Sequence, residues 1–523
     1  MTRNRTQRDE VNPLELGTAY EQTLSPLQRK RGSHFTPETL ASRVASESLQ
    51  LVEVTQRTRI IDPACGGGVF LLAMAQALHD RGFGAEHIVN QMLFGQDVDE
   101  QAVAVSRSAL SEWAHQHGAR AVPQVRCLDS LSLEPWLCDC FDVIVGNPPF
   151  QSQLSSVTSR TVEQNRTLSK QLGVELGAYA DTAGLFCVQS LSYLRPNGVL
   201  ALVLPRSLLA TRDASPIRQR LSESCHLHTL WFAHSKVFQA NVDVIVGMWT
   251  PRSVPPRPTT VRVGAEWQRV ASVAVDSGLD TWSALWAASH RIPWVELDAS
   301  LPTLGSVAIA SAGFRDEYYG VISALEDTHG QAVSPEQVKV ISTRLVDPNV
   351  CLWGRSAARL GKRDWRTPVV NLDHINDPKV QRWIARQRQP KTVVATQTKV
   401  VEAVADPYGE YVALTPLISV WSDELDPWQV TAALLAPPIT AWLLGRFGGA
   451  GLSEQALKVS AKQLSRIPLP SNAKAWKHAA HMLREPTVDW EQFARISSQA
   501  YGLASDAAAD LSAWWVERAG KAG

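Results

Sequence analysis

Between about residues 51 and 250 short apolar runs alternate with longer amphipathic stretches, and this alternation limits the fold more than any other feature of the chain. Strand, helix, strand in repetition is the pattern of a parallel sheet with crossover helices. Residues 58–61, 93–96, 124–127, 143–145, 199–204 and 242–249 have the length and branched or aliphatic content of buried strands. Helices are expected between them, for example over 70–78 and 100–115. The fold class predicted for this part is therefore α/β with a mostly parallel sheet.

A chain of 523 residues exceeds what one hydrophobic core ordinarily supports, so two domains are expected. Residues 251–258 hold four prolines and two arginines and read as a linker. From about residue 300 the regular alternation gives way to tryptophan, glycine, arginine and short β-like runs such as 391–395. The expected organisation is a first domain over 1–250, a connecting segment over 251–299 and a mixed α/β domain over 300–523.

Lysine plus arginine equals aspartate plus glutamate, 51 each, so the chain as a whole lacks the basic excess of a non-specific nucleic-acid binder. A basic face on one side remains compatible with that balance. Seven scattered cysteines read as reduced thiols rather than a disulfide framework. Cys138 and Cys140 have no second pair nearby, so no metal is expected. No apolar run is long enough to span a bilayer. A soluble, cytoplasmic protein is the expectation.

Three strand ends carry carboxylates. The first run leads into Asp62-Pro63-Ala64-Cys65-Gly66-Gly67-Gly68, a glycine-rich turn that lets backbone approach a ligand. The spacing is not that of a pyrophosphate cradle. An acidic residue leads the turn, so a zwitterionic amino-acid ligand fits better, with Asp62 pairing its ammonium group. The second run ends at Asp97, placed to accept ribose hydroxyls, with Asp99 as the cap of the next helix. The third leads to Asp129, placed to accept an adenine amino group.

The fourth strand enters Asn147-Pro148-Pro149-Phe150. Proline lacks an N–H and fixes its own φ, so consecutive prolines hold carbonyl oxygens in a rigid, outward-facing arrangement. If the Asn147 side-chain oxygen and the Pro148 carbonyl accept both hydrogens of an aromatic amine, its nitrogen lone pair turns out of the ring and toward an electrophile. Phe150 would stack on the ring.

With these four sites in this order, the chain resembles the gamma-class (TaqI-like) N6-adenine DNA methyltransferases. Residues 16–21 and 29–37 are similar to the family's N-terminal motif, 184–186 and 194–199 to the helix and strand after the Asn-Pro-Pro-aromatic motif, and 236–238 to a later aromatic segment. Residues 304–314, 391–403 and 457–470 resemble landmarks of its recognition domains. The resemblance implies a Rossmann-like methyltransferase domain followed by a DNA target-recognition domain. It implies S-adenosylmethionine as cofactor, held by Thr36, Asp62, Ala64, Cys65, Gly66, Asp97, Asp129 and Phe186. Asn147, Pro148, Pro149, Phe150 and Phe238 would hold a flipped-out adenine. Double-stranded DNA is the implied partner, bound through phosphate contacts by residues such as Arg315, Arg344, Arg355, Lys399, Arg446 and Lys458. The activity would serve restriction–modification, phage defence or epigenetic marking, with or without a separate restriction or defence subunit, and the chain outside such a complex would be a monomer. The same amino-group chemistry also admits an RNA or protein-glutamine methyltransferase, and a different class of reading is a non-catalytic DNA specificity subunit.

Overall fold

A computed structural model describes residues 12–13, 15–16, 36–132, 141–150, 160–177, 180–233, 243–252, 257–275, 281–449 and 456–520. The chain divides into two compact units, Met1–Ser289 and His290–Gly523.

The first unit is built on β1 (Ile60–Asp62), β2 (Leu93–Asp97), β3 (Gln124–Cys127), β4 (Phe141–Gly146), β5 (Leu194–Pro205), β6 (Cys225–Phe232), β7 (Val244–Pro251), β8 (Thr259–Val263) and β9 (Gln268–Val273). Their order in the sheet is β3-β2-β1-β4-β5-β7-β6-β8-β9. β1 to β5 are parallel wherever they pair, and β7 lies antiparallel between β5 and β6. Helices include α1 (Glu38–Ser48), α2 (Val69–His79) and α3 (Glu100–Gln116).

Sequence explains this local choice. Val143, Ile144 and Val145 of β4 are all fully buried, because a strand covered on both faces reads as a continuous apolar run. α2 buries Phe70 through Ala75 and Leu78, so it is apolar around most of its circumference as a core helix must be. α3 starts at Asp99, whose carboxylate accepts the Gln101 N–H at 2.9 Å and satisfies one orphan donor of the first turn.

The segment expected to connect the domains differs. Residues 259–273 form the paired strands β8 and β9, with β8 parallel to β6, and the helix Ser283–Ser289 closes the first unit. The edge of β6 needs hydrogen-bond partners, and these short strands supply them. As edge strands they are polar: only alternate residues Thr259 and Val261 of β8 are buried, and β9 buries none.

The second unit holds two four-stranded sheets. One orders Ile309–Ala312, Ile418–Trp421, Lys391–Val394 and Ala403–Asp406, all antiparallel. The other orders Leu325–Asp327, Pro368–Asn371, Gln337–Ile341 and Tyr411–Ala413, with its last pair parallel. Helices follow from Pro427 to Ala519. Among the described residues no single helix is long and apolar enough to cross a membrane.

Candidate active site

Because β1 to β4 run parallel, their carboxyl ends reach one edge of the sheet. Asp62 ends β1, Asp97 ends β2, Asp129 lies two residues past β3, and Asn147 follows the last residue of β4. In an open α/β sheet this edge forms the ligand crevice.

The glycine turn is fastened to β2. The Cys65 N–H donates to the Gln96 carbonyl at 2.8 Å, and the Gly66 N–H to Asp97 Oδ2 at 2.9 Å. Asp97 Oδ1 accepts the Asp99 N–H at 2.9 Å. Asp62 Oδ1 accepts the Ala64 N–H at 3.0 Å. Gly68, at φ +90°, admits no side chain: a Cβ there would stand 2.7 Å from Ser106 Oγ. Cys65 is buried in the turn, and burial pushes its thiol well above the usual range.

Asp62 is buried beside a strand end that carries no side chain. A Cβ on Gly146 would lie 2.5 Å from Asp62 Oδ1. Burial is the largest influence on the Asp62 carboxyl and pushes it up to about 8; the Ala64 N–H opposes that rise and the charge of Asp97 adds to it. Asp97 is also pushed up by burial, against the N–H groups of Asp99 and Gly66. A cationic ligand beside these desolvated carboxyls would favour their ionised form.

Asn147 projects from the adjoining strand end. Its Nδ2 donates to Thr36 Oγ1 at 3.0 Å. Its Oδ1 is buried and accepts no hydrogen bond among the described residues. Pro148 and Phe150 are buried and Pro149 is half-buried. A buried acceptor without a donor costs about 1–3 kcal/mol, so this oxygen is suited to an N–H donor brought by a ligand.

The structure thus gathers Asp62, Ala64, Cys65, Gly66 and Asp97 around one turn, and joins Thr36 to Asn147. Asp129 is exposed, and its carboxylate accepts the Leu131 N–H at 2.9 Å as a local turn does. Phe186 is buried on the helix Thr182–Ser190. Phe238 lies outside the described residues. Arg446, expected at DNA phosphates, has its guanidinium committed: it lies 5.0 Å from the Trp294 ring and 4.8 Å from the Trp442 ring and pairs with Glu296 at 3.1 Å. Two features escaped the sequence. Gly146 keeps space for Asp62, which a glycine ending an apolar strand signals. Ser130 Oγ lies 2.6 Å from both the Pro63 carbonyl and Gln96 Oε1, linking three strand ends, and no local pattern announces that.

Known proteins resemble this chain in sequence and in fold. Residues 13–250 match the family model described as N-6 DNA Methylase. The type II methyltransferase M.VspI of Vibrio sp. (strain 343) is 29% identical over 220 residues, 42% of this chain and 48% of that one. The type II methyltransferase M.BanIII of Aneurinibacillus aneurinilyticus is 25% identical over 209 residues, 38% of this chain and 34% of that one. The matched stretches thus span less than half the length of these relatives. The structure of the type IIL restriction–modification enzyme MmeI in complex with DNA aligns with a TM-score of 0.62 and 12% identity, covering 98% of this chain and 82% of that one. The Rossmann-like methyltransferase fold with its mostly parallel sheet is accordingly the one expected. Residues 13–250, the stretch that carries the carboxylate-lined turn and the Asn-Pro-Pro-Phe strand end, are thus similar to the N-6 DNA methylase family.

Proposed function

We propose that the protein transfers a methyl group from S-adenosylmethionine to N6 of an adenine flipped out of double-stranded DNA, as a gamma-class enzyme of a restriction–modification or defence system. One observation carries this reading: the buried, unpaired Oδ1 of Asn147 stands at the same sheet edge as the buried carboxyl of Asp62 and the half-buried Asp97. The donor fits the residues present. Asp62 is a desolvated carboxyl suited to its ammonium group, Asp97 to its ribose hydroxyls, and Ala64, Cys65 and Gly66 offer a turn close enough for backbone contact. Asp129 and Phe186 serve its adenine and Thr36 completes the pocket. When bound, the cofactor supplies a methyl group already activated by a positive sulfur.

The protein's own part is orientation and electrostatics. Asn147 Oδ1 and the Pro148 carbonyl take the two amino hydrogens of the target, which turns the nitrogen lone pair toward the methyl group. Pro149 stiffens that turn. Phe150 and Phe238 hold the ring plane and offset the few kcal/mol that extrusion of a base costs. No residue is required to form a covalent bond to the substrate. Residues 300–523 read the DNA site, and a partner nuclease or defence subunit acts on the same sequence. Outside such a complex the chain is a monomer in the cytoplasm.

Labelled S-adenosylmethionine incubated separately with duplex DNA, RNA and a protein extract, followed by nucleoside digestion, tests this. Label is expected in N6-methyladenosine from DNA; label in RNA or protein alone refutes it. Asn147→Ala should lower transfer at least about a hundredfold, on the order expected for losing a preorganised polar group, with binding of the cofactor nearly unchanged.

A further inference from the structure

Resting on the role proposed for Asn147, we infer that Thr36 is a positioning residue that holds the Asn147 amide in place at the strand end, where it meets the substrate amine. An asparagine side chain turns about two bonds, so an untethered amide is poorly held against the amine it grips. The target amine brings only N–H donors on the side to be gripped.

Thr36 tethers the amide. It is buried, and its Oγ1 accepts Nδ2 of Asn147 at 3.0 Å. With the nitrogen claimed, Oδ1 is the end left without a partner. Helix α1 begins just after it, preceded by Pro37 at φ −57°, so the hydroxyl is held by a backbone with little freedom. The two residues lie 111 apart in sequence, so the contact ties the N-terminal segment to the Asn-Pro-Pro-Phe turn.

Thr36→Val keeps the branched shape and removes the hydrogen-bonding oxygen. At saturating S-adenosylmethionine and DNA its kcat should fall about tenfold to a hundredfold, the scale of a misdirected polar contact in an active site. Thr36→Ser, which restores the oxygen, should return kcat to within about threefold of the parent. Thr36→Ala gives the same comparison with less crowding should the valine variant misfold, and a melting curve shows which variants are folded. If both apolar variants keep the parent kcat and lose only affinity for S-adenosylmethionine, Thr36 is a cofactor contact and the inference is overturned. Asn147→Ala separates the two levels: transfer surviving in it overturns the function proposed for Asn147, whereas transfer lost in it but retained in Thr36→Val overturns this inference alone.

Discussion

At the scale of single residues, the site rests on carboxyl groups taken out of water. Burial keeps the Asp62 carboxyl neutral up to about pH 8, whereas an unfolded aspartate ionises near pH 4. Above about pH 4 the unfolded chain therefore releases a proton that the fold retains, so this group destabilises the protein increasingly up to about pH 8 and by a constant amount beyond. Asp62→Asn removes that cost and still accepts the Ala64 N–H. Its melting temperature should exceed the parent's by a few degrees near pH 8.5, and the difference should shrink as the pH falls and vanish below about pH 4. Equal melting temperatures throughout would mean that the carboxyl ionises in the fold as it does in water. Gly146→Ala tests the same pocket from the other side. Its Cβ would stand 2.5 Å from Asp62 Oδ1, so the carboxylate must move, and calorimetry should show cofactor binding weakened at least about tenfold, or 1.4 kcal/mol. Asp62 and Asp97 were legible because each ends an apolar run, and strand direction alone then sends both to one edge. The link from Asn147 to Thr36 was not, since no spacing rule joins residues 111 apart.

At the scale of elements, legibility followed sequence pattern more than burial. The runs of β1, β4 and β5 are mostly apolar because both faces are covered, whereas β3 at the sheet edge buries only Val125. β6 was hidden for two reasons. Histidines alternate with apolar residues in its first half, and the helix Ser215–Ser224 passes into it at Cys225 with no glycine or proline between. β8 and β9 were hidden by their edge position, which leaves them short and polar. What fastens this hairpin is aromatic: Trp231 of β6 stacks on Trp267 of the turn between β8 and β9, with centroids 5.3 Å apart and planes 14° from parallel. Trp231 Nε1 also donates to the Gly264 carbonyl at 2.7 Å. Both rings are buried. Trp267→Ala should therefore cost about 3–5 kcal/mol in urea unfolding of the first unit, as large-to-small changes in a core do. Methyl transfer at low temperature should persist, because the hairpin is at the opposite end of the sheet order from the carboxylate-bearing strands. A loss below about 1 kcal/mol would show the stack to be ornamental.

For the whole molecule, the question is whether the two units divide the labour between chemistry and recognition. A chain with no net charge cannot draw DNA by bulk attraction, so affinity must come from a local face, and the second unit is the proposed bearer of it. That unit contains a sensitive point. Lys391 and Asp406, on paired strands, form an ion pair almost wholly shielded from solvent. Lys391 Nζ also donates to the Gln387 carbonyl, and Asp406 accepts the N–H groups of Glu410 and Tyr411. Burial pulls the lysine below its ordinary range while the aspartate pulls it back up. Lys391→Met leaves a buried carboxylate without its cation, a change worth about 3–5 kcal/mol. Each unit has its own core, so calorimetric melting should show one transition moved down and the other unmoved. Binding of S-adenosylmethionine should then stay at the parent level, since its proposed residues all lie in the first unit. Methylation of DNA should be lost at temperatures where only the second unit has melted. Methylation that survives there would mean that the first unit reads DNA unaided, and recognition would have to be sought on the face that carries Asn147.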